Sequence, residues 1–178
     1  QPAENGELFL FVDEFTNYYD ANIGIDTIEL LTILGYKVNI TQHEESGRSF
    51  ISKGILGKAK EKADFNVNYF KHIITAKKPL VGIEPSAILS FRDEYLRLAD
   101  DKNAAKEISQ NTFTIEEFIK QEFEKQHISA KSFTKNSQTL KIHGHCQQKS
   151  LSSTEPTFQM LSIPENYSVT ILNSGCCG

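Results

Sequence analysis

Cysteine is scarce and one-sided: the chain holds three, none before Cys146. A secreted, disulfide-stapled fold spreads an even number along its length, so an odd set gathered at one end excludes that framework and points to a local site. Basic runs are missing, and the formal charge is −4. Nucleic-acid binding needs clustered Lys and Arg to neutralise phosphates, so that class is set aside. No stretch approaches the roughly 20 apolar residues that cross a bilayer. No basic segment leads into an apolar run as in a signal peptide, so the expected location is cytoplasmic, with peripheral membrane association left open. A G-x-G-x-x-G fingerprint, a phosphate P-loop and a Ser/His/Asp spacing are also lacking. Two N-x-S/T sequons, at Asn39 and Asn166, read as chance without any other sign of secretion. The chain opens on Gln1 without an initiator Met and stops one residue after Cys176-Cys177, so both ends are expected to be cut from a longer protein.

What is present is enough for a core: 178 residues, 39% of them apolar, fit one domain or two small halves. Leu8 to Val12 is a continuous apolar run of strand length, the pattern of a buried parallel strand. Ile25 to Leu34 has helical spacing and ends at Gly35, a residue suited to a left-handed cap. Tyr36 to Ile40 then alternates as a strand, completing a strand–helix–strand unit. The spacing predicts a longer helix over Ile55 to Ile73, with Ile55, Ala59, Ala63, Val67 and Phe70 on one stripe. A third strand covers Pro79 to Ile83, and helices are expected over Ile88 to Leu98 and Thr114 to Lys125, the latter with a Thr114/Glu117 capping box. A polar linker, Ser129 to Gln138, precedes a strand at Thr139 to Ile142, a short helix starting near Thr154 and Pro156, and a last strand at Ser168 to Leu172. The fold class is α/β with parallel strands and crossover helices.

A hidden repeat organises these elements. Aligning Tyr36 to Gly47 with Tyr167 to Gly178 superposes Tyr36 on Tyr167, Val38 on Val169, Ile40 on Ile171 and Gly47 on Gly178 without a gap. Glu14 and Cys146 stand within one residue of the same offset. Two pseudo-repeated halves are expected, 1–128 and 129–178, the second stopping short. Around the expected site the first half carries Glu14, Glu45 and Ser46; the second carries Cys146, Cys176 and Cys177.

Cys146 and Cys176 both follow the C-terminal ends of predicted parallel strands, where α/β sheets gather ligands. Converging thiolates suit a soft metal, either iron of an iron–sulfur cluster or zinc. His143 and His145 add imidazole nearby and share one side of an extended segment. Adjacent cysteines also read as two small buried hydrophobes, and the histidines as core or solvent-facing residues. Thiol–disulfide exchange at Cys176-Cys177 is disfavoured, because neighbouring cysteines make a strained disulfide. Glu44 and Glu45 read as a solvated turn in preference to a cation site, and Tyr18 and Tyr19 as packing residues.

His143-Gly144-His145-Cys146, followed by Ser174-Gly175-Cys176-Cys177-Gly178, resembles the cysteine-rich CCG domain family. That family includes the heterodisulfide reductase B subunit, iron–sulfur subunits of glycolate oxidase type, and the C-terminal region of fused FAD-linked oxidases similar to D-lactate dehydrogenase. Gly47 to Gly54 and Gly82 to Tyr95 agree with the fused-oxidase type. The resemblance implies two motifs, each a Cys, a Cys-Cys-Gly and a later Cys, that hold 4Fe-4S-type clusters for electron transfer. The first motif departs at Glu14, at Glu45 and Ser46, and at Ala87, which implies no cluster there. The second keeps its first three thiols, with Gln147 where a His is usual and the final Cys expected beyond Gly178. The implied parent is a flavin-linked dehydrogenase of a lactate- or glycolate-type 2-hydroxy acid, with FAD in a partner domain of the same polypeptide or complex and the cluster belonging to the full-length parent. A zinc-binding or purely structural assembly module is the alternative.

Overall fold

The computed structural model describes residues 4–173 and Gly175. Its elements run β1 (Gly6–Phe11), α1 (Glu14–Tyr18), α2 (Ala21–Ile33), β2 (Tyr36–Ile40), α3 (Arg48–Ser52), α4 (Leu56–Phe70), β3 (Leu80–Gly82), α5 (Pro85–Ile88), α6 (Glu94–Leu98), α7 (Lys102–Gln110) and β4 (Thr112–Thr114). There follow α8 (Ile115–Glu124), β5 (Gln138–Ile142), α9 (Cys146–Leu151), α10 (Glu155–Leu161) and β6 (Tyr167–Ile171), with short 3-10 turns at Leu89–Arg92 and Ala130–Ser132. The chain divides into two compact units, Gln1–Thr114 and Ile115–Gly178.

In the first unit four strands form a parallel sheet in the order β2-β1-β3-β4. A strand with neighbours on both sides and helices packed over it loses its polar face, and this accounts for the apolar run of β1: Leu8, Leu10 and Phe11 are fully buried. Leu80 and Val81 of β3 are buried beside them. Phe11 meets Phe91 edge-on at 5.1 Å, and Phe91 lies 4.4 Å from Tyr95, so an aromatic cluster closes the core under the strand ends.

Helix α2 buries Gly24, Thr27 and Leu31 at helical spacing and packs on β2. Its end falls where the sequence puts it: Gly35 takes φ +88° and donates its amide to the Thr32 carbonyl. On α4 the expected stripe of Ala59, Ala63, Val67 and Phe70 is buried, with a polar residue, Asn66, buried among them. Ile55 is exposed and stands just ahead of the helix.

The helix expected over Ile88 to Leu98 is broken into α5, a 3-10 turn and α6. Ile88, Leu89, Ser90 and Phe91 are all buried in succession, which one face of a straight helix cannot do. Ser90 also donates its hydroxyl back to the Ser86 carbonyl, a bond that bends helices. Helix α7 and strand β4 occupy a segment without an assigned element in the sequence reading. Tyr18 and Tyr19 are not packing residues: they are 73% and 83% exposed.

The second unit pairs β5 with β6 in parallel and packs α8 against α10. Its register repeats that of the first. Leu8 lies opposite Val38 and Leu10 opposite Ile40 in β1–β2, as Leu140 lies opposite Val169 and Ile142 opposite Ile171 in β5–β6. The protein is thus α/β with two pseudo-repeated parallel-strand halves. Among the described residues no helix is long and apolar enough to cross a membrane.

Candidate functional site

Just past β1, Asp13 caps α1, accepting the amides of Phe15 and Thr16 at 2.9 Å and the Thr16 hydroxyl at 2.8 Å. Burial pushes its carboxyl pKa up, against these hydrogen bonds and with the help of the nearby Glu84 charge. The cap aims the next side chain, Glu14, across the strand ends. One Glu14 oxygen accepts the Ser46 amide at 2.9 Å; the other accepts the Ser46 hydroxyl at 2.7 Å.

Ser46 is fully buried after β2, and a polar network holds it. Its carbonyl accepts the Tyr95 hydroxyl at 2.9 Å, and its hydroxyl oxygen accepts the Arg48 amide at 3.1 Å. Asn66 donates to the Tyr95 oxygen and to the Glu45 carbonyl, both at 3.0 Å, and accepts the Glu44 amide at 3.0 Å. Burial pushes the Tyr95 phenol far above its ordinary pKa, so it stays a neutral donor. Gly47 supplies φ +75° at the start of α3, a left-handed conformation that favours glycine, with Lys62 and the Ala59 backbone of α4 at contact distance.

His43 belongs to the same loop. Its Nε2 accepts the Val12 amide at 3.2 Å, and its Nδ1, which faces the Glu44 carbonyl at 2.8 Å, must carry the proton because a carbonyl only accepts. The ring stacks on Phe11 at 4.1 Å. Burial holds its pKa below the ordinary value, although Asp13, Glu14 and Glu44 pull the other way. Glu45 is exposed, and Glu44 pairs with Lys62, as a solvated turn requires. Ala87 is fully buried in α5, where its amide donates to the capping Glu84 carboxylate at 2.6 Å. Beside these strand ends lies a cleft of about 370 Å³ lined by Val12, Thr16, Gly24, Ile28, Ile40 and Thr41, among others. The Thr41 hydroxyl is buried without a hydrogen-bond partner.

The second unit repeats the arrangement around Cys146. Past β5, His143 is exposed, Gly144 is buried, and His145 caps α9 by accepting the Gln147 amide on Nδ1 at 3.2 Å. Cys146 opens α9 where Glu14 opens α1, half-buried. Two residues on, Gln148 is buried where Thr16 is, and donates to the Thr157 hydroxyl at 2.8 Å. A side chain at Gly144 would lie 2.1 Å from the Thr154 methyl, so glycine alone lets this loop pack on the start of α10. The Leu172 amide donates to the Ile142 carbonyl at 2.9 Å, and Lys149 of α9 donates to the Gly175 carbonyl at 3.1 Å. Cys176 and Cys177 lie outside the described residues. Among the described residues no three His, Cys, Asp or Glu side chains converge as a metal site.

In the sequence Glu14 and Ser46 align with the thiol positions, whereas the parts played by Asn66 and Tyr95 emerge only from the fold. The available signal was Asn66 itself, a lone amide inside an otherwise apolar helix stripe.

Several known proteins are similar to the chain. D-2-hydroxyglutarate dehydrogenase of Haemophilus influenzae is 26% identical over 180 residues, covering 98% of this chain and 17% of the relative. The Escherichia coli enzyme of the same name is 25% identical over 169 residues, covering 93% of this chain and 16% of the relative. One subunit of the anaerobic glycerol-3-phosphate dehydrogenase of Escherichia coli is 25% identical over 170 residues, covering 92% of this chain and 41% of the relative. These relatives are dehydrogenases or a dehydrogenase subunit, and the chain spans less than half the length of each. No family model matches the chain. No solved structure matches it either.

Proposed function

We propose that this chain is an electron-transfer part of a flavin-linked 2-hydroxy-acid dehydrogenase, in which Cys146, Cys176 and Cys177 contribute thiolates to an iron–sulfur cluster of the CCG type. The observation that carries this reading is the repeated register: it sets Cys146 at the C-terminal end of β5, beside the strand from whose end the chain runs on to Cys176 and Cys177. Parallel-sheet strand ends are where such sites are built. The donor set fits, since three thiols suit iron in a cluster better than a hard cation. His145 accepts the Gln147 amide on Nδ1, which leaves the proton on Nε2, so its ring would have to give up the helix cap before it could ligate a metal. His143, exposed past β5, is the weaker candidate ligand.

The similarity to D-2-hydroxyglutarate dehydrogenases supports a 2-hydroxy acid as the parent's substrate. Oxidising a 2-hydroxy acid to its 2-oxo acid releases two electrons and two protons, which FAD in another domain of the same polypeptide would accept. A bound cluster would supply one-electron transfer away from the flavin. This chain's own part is to hold the thiols, exclude water from them and dock the flavin domain. Ile23, Ile25 and Ile33 of α2, with Tyr18, Tyr19 and Ile40, present exposed apolar surface for that partner. A reducing cytoplasmic setting keeps such thiols available.

The test is metal and acid-labile sulfide analysis of the full-length parent purified without oxygen. Iron and sulfide in comparable amounts, lost on Cys146→Ala, support the proposal. Their absence sinks it, and zinc without a reducible centre selects the structural assembly module.

A further inference from the structure

We infer that the Glu14–Ser46 pair is a metal-free clasp that permanently closes the first half's counterpart of the thiol site. The repeated register equates Glu14 with Cys146, and the gap-free sequence match of Tyr36 to Gly47 with Tyr167 to Gly178 sets Ser46 opposite Cys177, so the two positions that carry thiols in one half are bonded directly to each other in the other. Glutamate is longer than cysteine by two heavy-atom bonds. Its carboxylate thus reaches from the end of β1 to Ser46 past the end of β2, a distance that a cysteine side chain at position 14 would fall short of.

The clasp also leaves Ser46 without a polar group to offer a ligand. Every polar group of Ser46 is taken: the amide and hydroxyl donate to Glu14, the hydroxyl oxygen accepts from Arg48, and the carbonyl accepts from Tyr95. Both Glu14 oxygens are engaged in charge-assisted bonds at full burial of the serine, where an unmade bond is costly. The residues present therefore do not fit a cluster or a single ion. The first half is held together where the second half, on the reading above, is held by thiolates; the clasp stands even if that reading fails.

The experiment uses the 178-residue chain with Cys146, Cys176 and Cys177 all changed to Ala, so that the second site is silent. Amide hydrogen exchange at Ser46 is compared in this background with and without Glu14→Ala, Glu14→Gln and Ser46→Ala. The expected result is exchange at Ser46 faster by about tenfold or more in Glu14→Ala, a smaller rise in Glu14→Gln, which keeps one acceptor oxygen, and no uptake of iron or zinc in any of them. If Glu14→Ala does not fold, Glu14→Gln carries the same comparison, and Ser46→Ala, which keeps the amide bond to Glu14 and loses only the hydroxyl bond, serves as the control. Unchanged exchange at Ser46 in the Glu14 variants overturns the clasp, as does stoichiometric metal binding that disappears with Glu14.

Discussion

Asn66 and Tyr95, both fully buried, share a 3.0 Å hydrogen bond from the Asn66 amide nitrogen to the Tyr95 phenol oxygen, and the phenol donates its own proton to the Ser46 carbonyl. One hydroxyl therefore ties α4, α6 and the loop after β2 together. Changing Tyr95→Phe removes it while keeping the ring that packs on Phe91. An Asn66 donor and the Ser46 carbonyl then each lose a partner in a dry interior, at an expected cost of about 1–3 kcal/mol. Urea denaturation followed by circular dichroism measures this; a change within error would show that the network is not a stabilising unit. Asn66→Ala is expected to cost more, because it also strips partners from the Glu44 amide and the Glu45 carbonyl.

His43 gives the first unit a pH dependence whose sign follows from burial. Its folded pKa lies below the unfolded value near 6.5, so as pH falls the unfolded chain takes up a proton first. The stabilisation is fully present above about pH 6.5 and is lost as pH falls through the folded value. Asp13 acts with the opposite sign: its raised folded pKa favours the native state below the ordinary carboxylate value, and that contribution is lost as pH rises through the folded value. Comparing the wild type with His43→Gln isolates the histidine. The wild type should lose more urea resistance than the variant between about pH 7.5 and about pH 5. Equal losses would contradict a buried neutral ring.

Gly82, the last residue of β3, lies so close to α5 that a Cβ would stand 2.5 Å from the Ile88 Cβ. Gly82→Ala is expected to destabilise by about 1–3 kcal/mol, the usual range for forcing extra volume into a packed core. Because the clash is with Cβ itself, trimming Ile88 to Ala should not rescue the variant. Thermal melts of the single and double variants check this, and rescue by Ile88→Ala would mean that the helix shifts freely.

How far the sequence foretells this molecule depends on how local each signal is. The strands β1 and β3 are legible because burial writes itself into short apolar runs, β2, β5 and β6 because apolar and polar residues alternate along them, and Tyr36/Tyr167 with Val38/Val169 betray the repeat. Helix α7 and strand β4 are not: Ala104, Ala105 and Ile108 make a thin stripe, and Thr-Phe-Thr is too short to carry a period. Glu14 and Ser46 could be aligned with the thiols, but their direct bond depends on side-chain reach across two strand ends. Asn66 finds Tyr95 only through the break at Ser90 to Asp93, which no local pattern announces.

Gly144 tests whether the loop before Cys146 is built for a ligand site or is incidental. Its missing side chain lets His143 to Cys146 lie against Thr154, whose methyl would be 2.1 Å from an added Cβ, with Lys149 next at 3.0 Å. The Thr154 Cβ itself is farther, at 3.5 Å, so the methyl is the obstacle. Gly144→Ala should therefore push the loop away from α10 and displace Cys146, at a stability cost of about 1–3 kcal/mol. Thr154→Ser removes the methyl and should recover most of that loss. If Cys146 is a ligand in the full-length parent, iron content should fall in Gly144→Ala and return in the double variant. Iron that stays constant while stability drops and recovers would separate loop packing from metal binding and remove Cys146 from the ligand set.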